Sequence, residues 1–284
     1  MNSAATVPPD ADKPAAKPRQ TAIKLSSPGT QEFWEIAVLF EDEHLLAINK
    51  PPSLLTSPDR YDANRPNIMR LLHEGIETSK PWARDRGLTY LANAHRLDFE
   101  TSGVLLLAKN KPALVELANQ FGWEKPTKIY AALVQGTPEE DEFEVDQAIA
   151  PHPTHVGLMR IEPKRGKKSR TQFKVLEKFQ GYTLLECRPL TGRTHQIRVH
   201  LRHLHLSILG DELYRGGKLW LSSLKKNFRL KPNKEERPLI STMALHAESL
   251  SLPHPVTGES ISIHAPRPKD FEVALKYLRR YALP

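Results

Sequence analysis

The stretch His95-Arg96-Leu97-Asp98-Phe99-Glu100-Thr101-Ser102-Gly103 runs straight into the apolar residues 104–108, setting a carboxylate among basic and hydroxyl-bearing side chains just ahead of a strand-forming segment. A short apolar run bounded by turn formers reads as a buried strand, and Asp98 falls in the turn that feeds it. A turn beside a rigid strand holds a reactive group steady. Arg96 lies on the same side as Asp98 if the backbone is extended, and its guanidinium can reach a phosphate; Thr101 and Ser102 can donate to the carboxylate or cap the turn. Read locally, Asp98 need only cap a turn and Arg96 need only be a solvated charge.

Outward from this segment, strand-like patterns occupy 37–40, 45–49 and 129–134, and helical patterns 68–74 and 112–121. Residues 171–177 and 182–189 read as strands joined through Phe179-Gln180-Gly181, a short glycine-containing hairpin connection. Thr194 then predicts the N-cap of a helix with Ile197, Leu201 and Leu204 on its inner face. Hairpins without a regular crossover rhythm favour an α+β fold, a mixed and largely antiparallel sheet flanked by helices. Residues 1–32, with Pro8, Pro9, Pro14, Pro18 and Pro28 among Ala, Ser and Lys, predict a flexible tail; Asp10, Asp12 and the scarcity of Arg argue against a targeting peptide. Residues 33–284 suit one domain, with no internal repeat.

The 284-residue chain carries a formal net charge of +8, which favours a polyanionic partner without defining a site. Its single cysteine, Cys187, excludes an internal disulfide framework and a CxxC metal or redox motif, and in a strand-like run it reads as a small core residue. No stretch has the length of a membrane span or the apolar core of a secretory signal. The expectation is a cytoplasmic monomer that makes no membrane contact.

Residues 95–110, HRLDFETSGVLLLAKN, resemble the signature HRLDxxTSGLLLLAK of the RluA-type pseudouridine synthase family, whose members isomerise uridine to pseudouridine in structured RNA. Two further motifs follow in the family's order, Lys128-Ile129-Tyr130-Ala131-Ala132-Leu133-Val134 and Leu190-Thr191-Gly192-Arg193-Thr194-His195-Gln196-Ile197-Arg198-Val199-His200. The likeness reaches upstream to Val38-Leu39-Phe40-Glu41-Asp42-Glu43 and Asn49-Lys50-Pro51-Pro52, and downstream to Ile208-Leu209-Gly210-Asp211 and residues 252–259. It covers the chain from about residue 35 onward.

The resemblance implies a bent antiparallel sheet with the active-site cleft across its middle, and a reaction that needs no cofactor. It implies Asp98 as the nucleophile, attacking the ribose or removing a proton to form a glycal, and Arg198 as the basic residue that orients it. Tyr130 would stack on the target base and is a candidate for removing the carbon 5 proton, with Ile197 as an apolar wall beneath the base. Arg96 would act as wedge or phosphate clamp when the uridine is extruded. Arg193, His195 and the basic runs 164–170 and 225–231 would meet the RNA, with Trp220 and Phe228 beside the second run. Each run reads equally as a solvated loop.

His195, His200, His203 and His205 invite a metal reading, but His195 to His200 is a five-residue step that splays two ligands apart on a helix, so no metal is expected. A glycoside hydrolase would need a second carboxylate at matched spacing, and Glu100 is poorly placed for it. An inert RNA-binding relative would carry a damaged motif, whereas Asp98, Tyr130 and Arg198 are all present. Many members of the family bear an additional N-terminal module of the S4 type, which is not found here; the RNA partner is expected to be ribosomal or transfer RNA.

Overall fold

The computed structural model describes residues 21–59, 62, 64–230 and 233–284. In chain order its elements are β1 (Ala22–Ser27), β2 (Glu32–Glu41), β3 (Leu45–Lys50), α1 (Ile68–Glu77), α2 (Pro81–Arg84), β4 (Ala92–Asn93), β5 (Ser102–Ala108), α3 (Lys111–Gly122) and β6 (Thr127–Gln135). There follow β7 (Glu142–Asp146), β8 (Ile149–Pro151), β9 (Met159–Ile161), β10 (Arg170–Phe179), β11 (Tyr182–Pro189), α4 (Gln196–His203), α5 (Leu221–Leu224), β12 (Leu245–Pro253), β13 (Ser260–His264) and α6 (Lys269–Tyr281).

Among the described residues eleven strands form one sheet, its main path running β1-β2-β3-β5-β12-β6-β11-β10-β7, with β13 beside β12 and β4 beside β5; β8 and β9 pair apart from it. The β5–β12 pair is parallel and its other pairings are antiparallel. The mixed, largely antiparallel α+β architecture is therefore the one expected. Register shifts in β2, β10 and β12 interrupt the ladder, as bulges do where a sheet bends.

β5 is buried along its whole length, because both of its faces are covered. Leu105 and Leu107 pack with Leu46, Ile48 and α1 residues Ile68, Leu71 and Leu72. Val104, Leu106 and Ala108 face the other way, onto Leu45, Ala47 and α3 residues Ala113 and Leu117. Burying each such leucine is worth about 1.5–3 kcal/mol, so this strand is a firm anchor for the turn that precedes it. A third cluster joins β6, β11, α4 and α6 through Leu133, Leu185, Leu201, Phe271 and Leu275.

Gly103 sits at the seam of the sheet. It has φ +115°, and a Cβ there would run into the backbone of Ala247, its partner across the parallel pairing.

Two boundaries differ from expectation. Residues 1–20 lie outside the described residues, but residues 22–27 of the expected tail form β1, antiparallel to β2. Ile23 and Leu25 alternate with polar neighbours and are buried with Trp82, a short apolar alternation outweighed in the sequence by the surrounding Pro, Ser and Lys. The N-cap of α4 is His195, with φ 55° and ψ 20°, and not Thr194; Leu204, expected on the inner face, ends the helix and is 37% exposed.

Candidate active site

The turn before β5 is pinned on both sides of Asp98. Leu97 is buried, its carbonyl accepting from Thr56 Oγ1 at 3.0 Å while its N–H donates to the same oxygen at 3.2 Å. Beyond Asp98, the Lys50 ammonium donates to the carbonyls of Phe99 (3.1 Å) and Thr101 (2.7 Å), and to that of Pro51 (2.8 Å). Thr101 N–H closes the turn onto Asp98 O at 3.2 Å. Lys50 is fully buried, and burial pulls its pKa down to about 7 against the opposing pull of Asp98 and Glu100. The three carbonyl acceptors use every hydrogen of the charged form, so the lysine ties the turn to the end of β3.

α4 brings the second half of the site. The Gln196 amide accepts from Arg193 N–H and the Thr191 hydroxyl and donates to Arg170 O and Thr171 Oγ1, stapling the loop before α4 onto β10. Two residues on, Arg198 is 6% exposed rather than solvated. Its Nη1 approaches Asp98 Oδ2 at 3.5 Å, but its shorter bonds, 2.7 and 2.8 Å, run as a fork to Asp211. The expected pairing with Asp98 is thus the looser of two. His195 Nε2 stands 3.9 Å from the same Asp98 oxygen.

Asp98 opens into a cavity of about 270 Å³ whose walls include Arg96, Lys128, Tyr130, Arg193, His195 and Ile197. The sequence-predicted residues thus converge on one pocket. Arg96 is exposed at its edge, while Ile197 is buried and belongs at once to the pocket wall and to the core. Arg193 donates to Glu124 Oε1 at 3.0 Å and to Lys168 O at 2.9 Å, bringing the 164–170 loop to the rim with Lys164, Arg165, Lys167 and Lys168 exposed. Lys225, Lys226 and Arg229 of the other run are exposed, Trp220 and Phe228 are half-buried, and Lys231 lies outside the described residues.

Burial governs the electrostatics. It pushes the Tyr130 phenol above its ordinary value, with Asp98 and Cys187 adding to the shift, so the ring enters the site as a protonated phenol. It pulls Lys128 down, with Glu124 opposing and Arg193 reinforcing. His95 falls to about 3, by burial and then by Lys128; its Nε2 accepts the Leu106 N–H at 2.9 Å and its ring stacks on Phe121.

Some expected contacts fall elsewhere. The Ser102 hydroxyl bonds His246 Nδ1 at 2.8 Å rather than Asp98, and Glu100 takes a hydrogen bond from Ser53. His200 is satisfied locally by Thr171 Oγ1 and Gln147 O. Among the described residues no group of three or more His, Cys, Asp or Glu is arranged to hold a metal ion. Three site residues escaped assignment from sequence: Lys50, Asp211 and Tyr214. A lysine closing β3 just past the apolar run 45–48 was a usable signal for the first; nothing in the spacing marked Tyr214.

A buried central strand, a carboxylate fixed on the turn ahead of it and a cation-rimmed pocket define an enzyme that works on a polyanion. A family model described as RNA pseudouridylate synthase matches residues 44–203. The chain is 35% identical over 250 residues to ribosomal large subunit pseudouridine synthase D of Pasteurella multocida (strain Pm70), covering 85% of this chain and 70% of that one. The protein of that name from Haemophilus influenzae (strain ATCC 51907 / DSM 11121 / KW20 / Rd) is 35% identical over 243 residues, with the same coverage. The solved structure of human RNA pseudouridylate synthase domain containing 4 matches with a TM-score of 0.62 and 26% identity, over 85% of this chain and 92% of that one. The chain belongs to the RNA pseudouridylate synthase family, of the RluA type, and is an RNA pseudouridine synthase, an isomerase.

Proposed function

We propose that the enzyme isomerises a uridine of ribosomal RNA, with Asp98 acting at the ribose. The observation that carries the role of Asp98 is its setting: a carboxylate fixed by its backbone in the pocket, with the Arg198 guanidinium 3.5 Å and the His195 ring 3.9 Å from one oxygen, neither close enough to consume it. The ribosomal substrate is supported by the names of the relatives about 35% identical to this chain.

The reaction breaks the bond from uracil N1 to the ribose and forms one from carbon 5; the proton leaves carbon 5 and N1 gains one. Nothing is oxidised and no atom is lost, so the chemistry calls for no co-reactant. Asp98 supplies the negative charge at the anomeric centre, by direct attack or by proton removal. Tyr130 offers its ring face to the base and its phenol to the carbon 5 side, over Ile197. Arg96 at the open edge holds the strand from which the uridine is extruded, and Arg193 with the 164–170 loop takes the phosphates. One catalytic domain working as a monomer suffices, since its own elements close the apolar clusters described above.

The test is a pseudouridine map of cellular ribosomal and transfer RNA with and without this gene, rescued by wild type or Asp98→Asn. A ribosomal uridine that regains its mark only with wild type is the expected result. A mark lost from transfer RNA alone would overturn the substrate, and full rescue by Asp98→Asn would overturn the nucleophile.

A further inference from the structure

We infer that Tyr214 is a positioning residue that locks His195 in the tautomer with its proton on Nε2, so that a hydrogen-bond donor stands beside Asp98. The inference rests on the assignment of Asp98 as the reacting carboxylate.

Tyr214 follows Asp211 by one short turn and is buried at 5% exposure. Its phenol oxygen accepts the Met159 N–H at 2.9 Å, which leaves its own proton two acceptors: His195 Nδ1 at 2.9 Å and Met159 O at 3.3 Å. The imidazole is the nearer. The alternative, with Nδ1 protonated and donating to the phenol, would aim the bare lone pair of Nε2 at the Asp98 carboxylate 3.9 Å away. That arrangement is repulsive, so distance and charge select the same tautomer. Burial lowers the His195 pKa, with Asp98 opposing, and a neutral ring has a tautomer to fix.

The surroundings hold this geometry. Tyr214 meets His195 edge to face, centroids 5.6 Å apart, and carries the Arg198 guanidinium over its ring at 4.9 Å. It therefore sets both groups that face Asp98 Oδ2. His195 also has a left-handed backbone, φ 55°, uncommon for a residue other than glycine, and makes no side-chain cap bond to its helix. At 3.9 Å the Nε2–H is too far from Asp98 to bond it. A ribose hydroxyl of the bound nucleoside, lying beside the pair, can accept from this N–H and donate to Asp98.

The experiment is nitrogen NMR of the full chain labelled at histidine, its twelve imidazoles sorted by the signals lost in His195→Gln. The expected spectrum shows an unprotonated Nδ1 and a protonated Nε2 at His195. Tyr214→Phe should mix the tautomers and lower kcat roughly tenfold on ribosomal RNA from the deletion strain, the scale of one oriented hydrogen bond, with KM little changed. A protonated Nδ1 in wild type overturns the inference; so does Tyr214→Phe if it alters the tautomer without kcat, or kcat without the tautomer. Should Tyr214→Phe not fold, His195→Gln, whose amide lies at the ε position, must turn over faster than His195→Asn, and equal rates overturn the inference. Asp98→Asn run alongside separates the failures: if it is fully active the Asp98 assignment falls, and if it is dead while the tautomer result is negative only the role of Tyr214 falls.

Discussion

Arg198 serves two carboxylates unequally, and that inequality decides what each does. Asp211 takes the fork at 2.7 and 2.8 Å and is itself buried, whereas Asp98 receives one contact at 3.5 Å. A carboxylate fully paired with a guanidinium is a poor nucleophile, since its lone pairs are engaged; in the role proposed for Asp98, Asp211 would serve to keep Arg198 from closing on it. Asp211→Asn should weaken the fork, draw the guanidinium onto Asp98 and lower single-turnover isomerisation by about tenfold or more, with RNA affinity unchanged. Unaltered turnover would refute that division of labour. Tyr130→Phe keeps the ring face and removes only the hydroxyl, so affinity for the RNA should stay within about threefold of wild type while turnover falls, as checked by filter binding beside single-turnover assays. The sequence conveyed the identity of Arg198 but not its first partner, because Asp211 lies thirteen residues on, past the end of α4, and only the fold folds it back.

The turn that carries Asp98 is only as rigid as its two neighbours, β3 and β5. Lys50→Met would fill the volume but leave the carbonyls of Pro51, Phe99 and Thr101 without their buried donor. At about 1–3 kcal/mol for each unsatisfied group, a loss of roughly 3 kcal/mol or more in urea unfolding is expected, with turnover falling further than the folded fraction does. Gly103→Ala attacks the opposite end of the turn, where a methyl group meets the Ala247 backbone and φ is already +115°; soluble protein should be recovered in much lower yield than wild type, and a normal melting temperature would disprove the close approach. These elements were legible to differing degrees for physical reasons. β5, α1, α3 and the β10–β11 hairpin announce themselves through apolar runs, helical spacing and a glycine turn. β1 is two apolar residues in polar surroundings, β8 and β9 are three residues each, and the left-handed cap at His195 has no signature in side-chain type.

Several of the twelve histidines fold into settings that disfavour their charged form, a property that composition hides. The convergence of Asp98, Tyr130, Arg193 and Arg198 on one pocket was foreseeable from motif order, yet which imidazoles are buried depends on packing between distant strands. His95 is held at about 3, and burial also lowers His195, His200 and His246. An imidazole in the unfolded chain titrates near 6.5, so between about pH 6.5 and 3 the unfolded state binds protons that the folded state refuses. Stability is therefore fully present above about pH 6.5 and is lost as pH falls through that window. His95 contributes through a specific bond, since protonating Nε2 removes the acceptor of the Leu106 N–H at the middle of β5. His95→Gln retains an acceptor but cannot titrate. Its urea midpoint should start below that of wild type at pH 7.5 and fall less steeply towards pH 4.5, so that the two curves converge in acid. Curves that stay parallel would show that His95 takes up no proton on unfolding, and that the imidazole bonded to the middle of β5 is not the acid-sensitive joint between core and pocket.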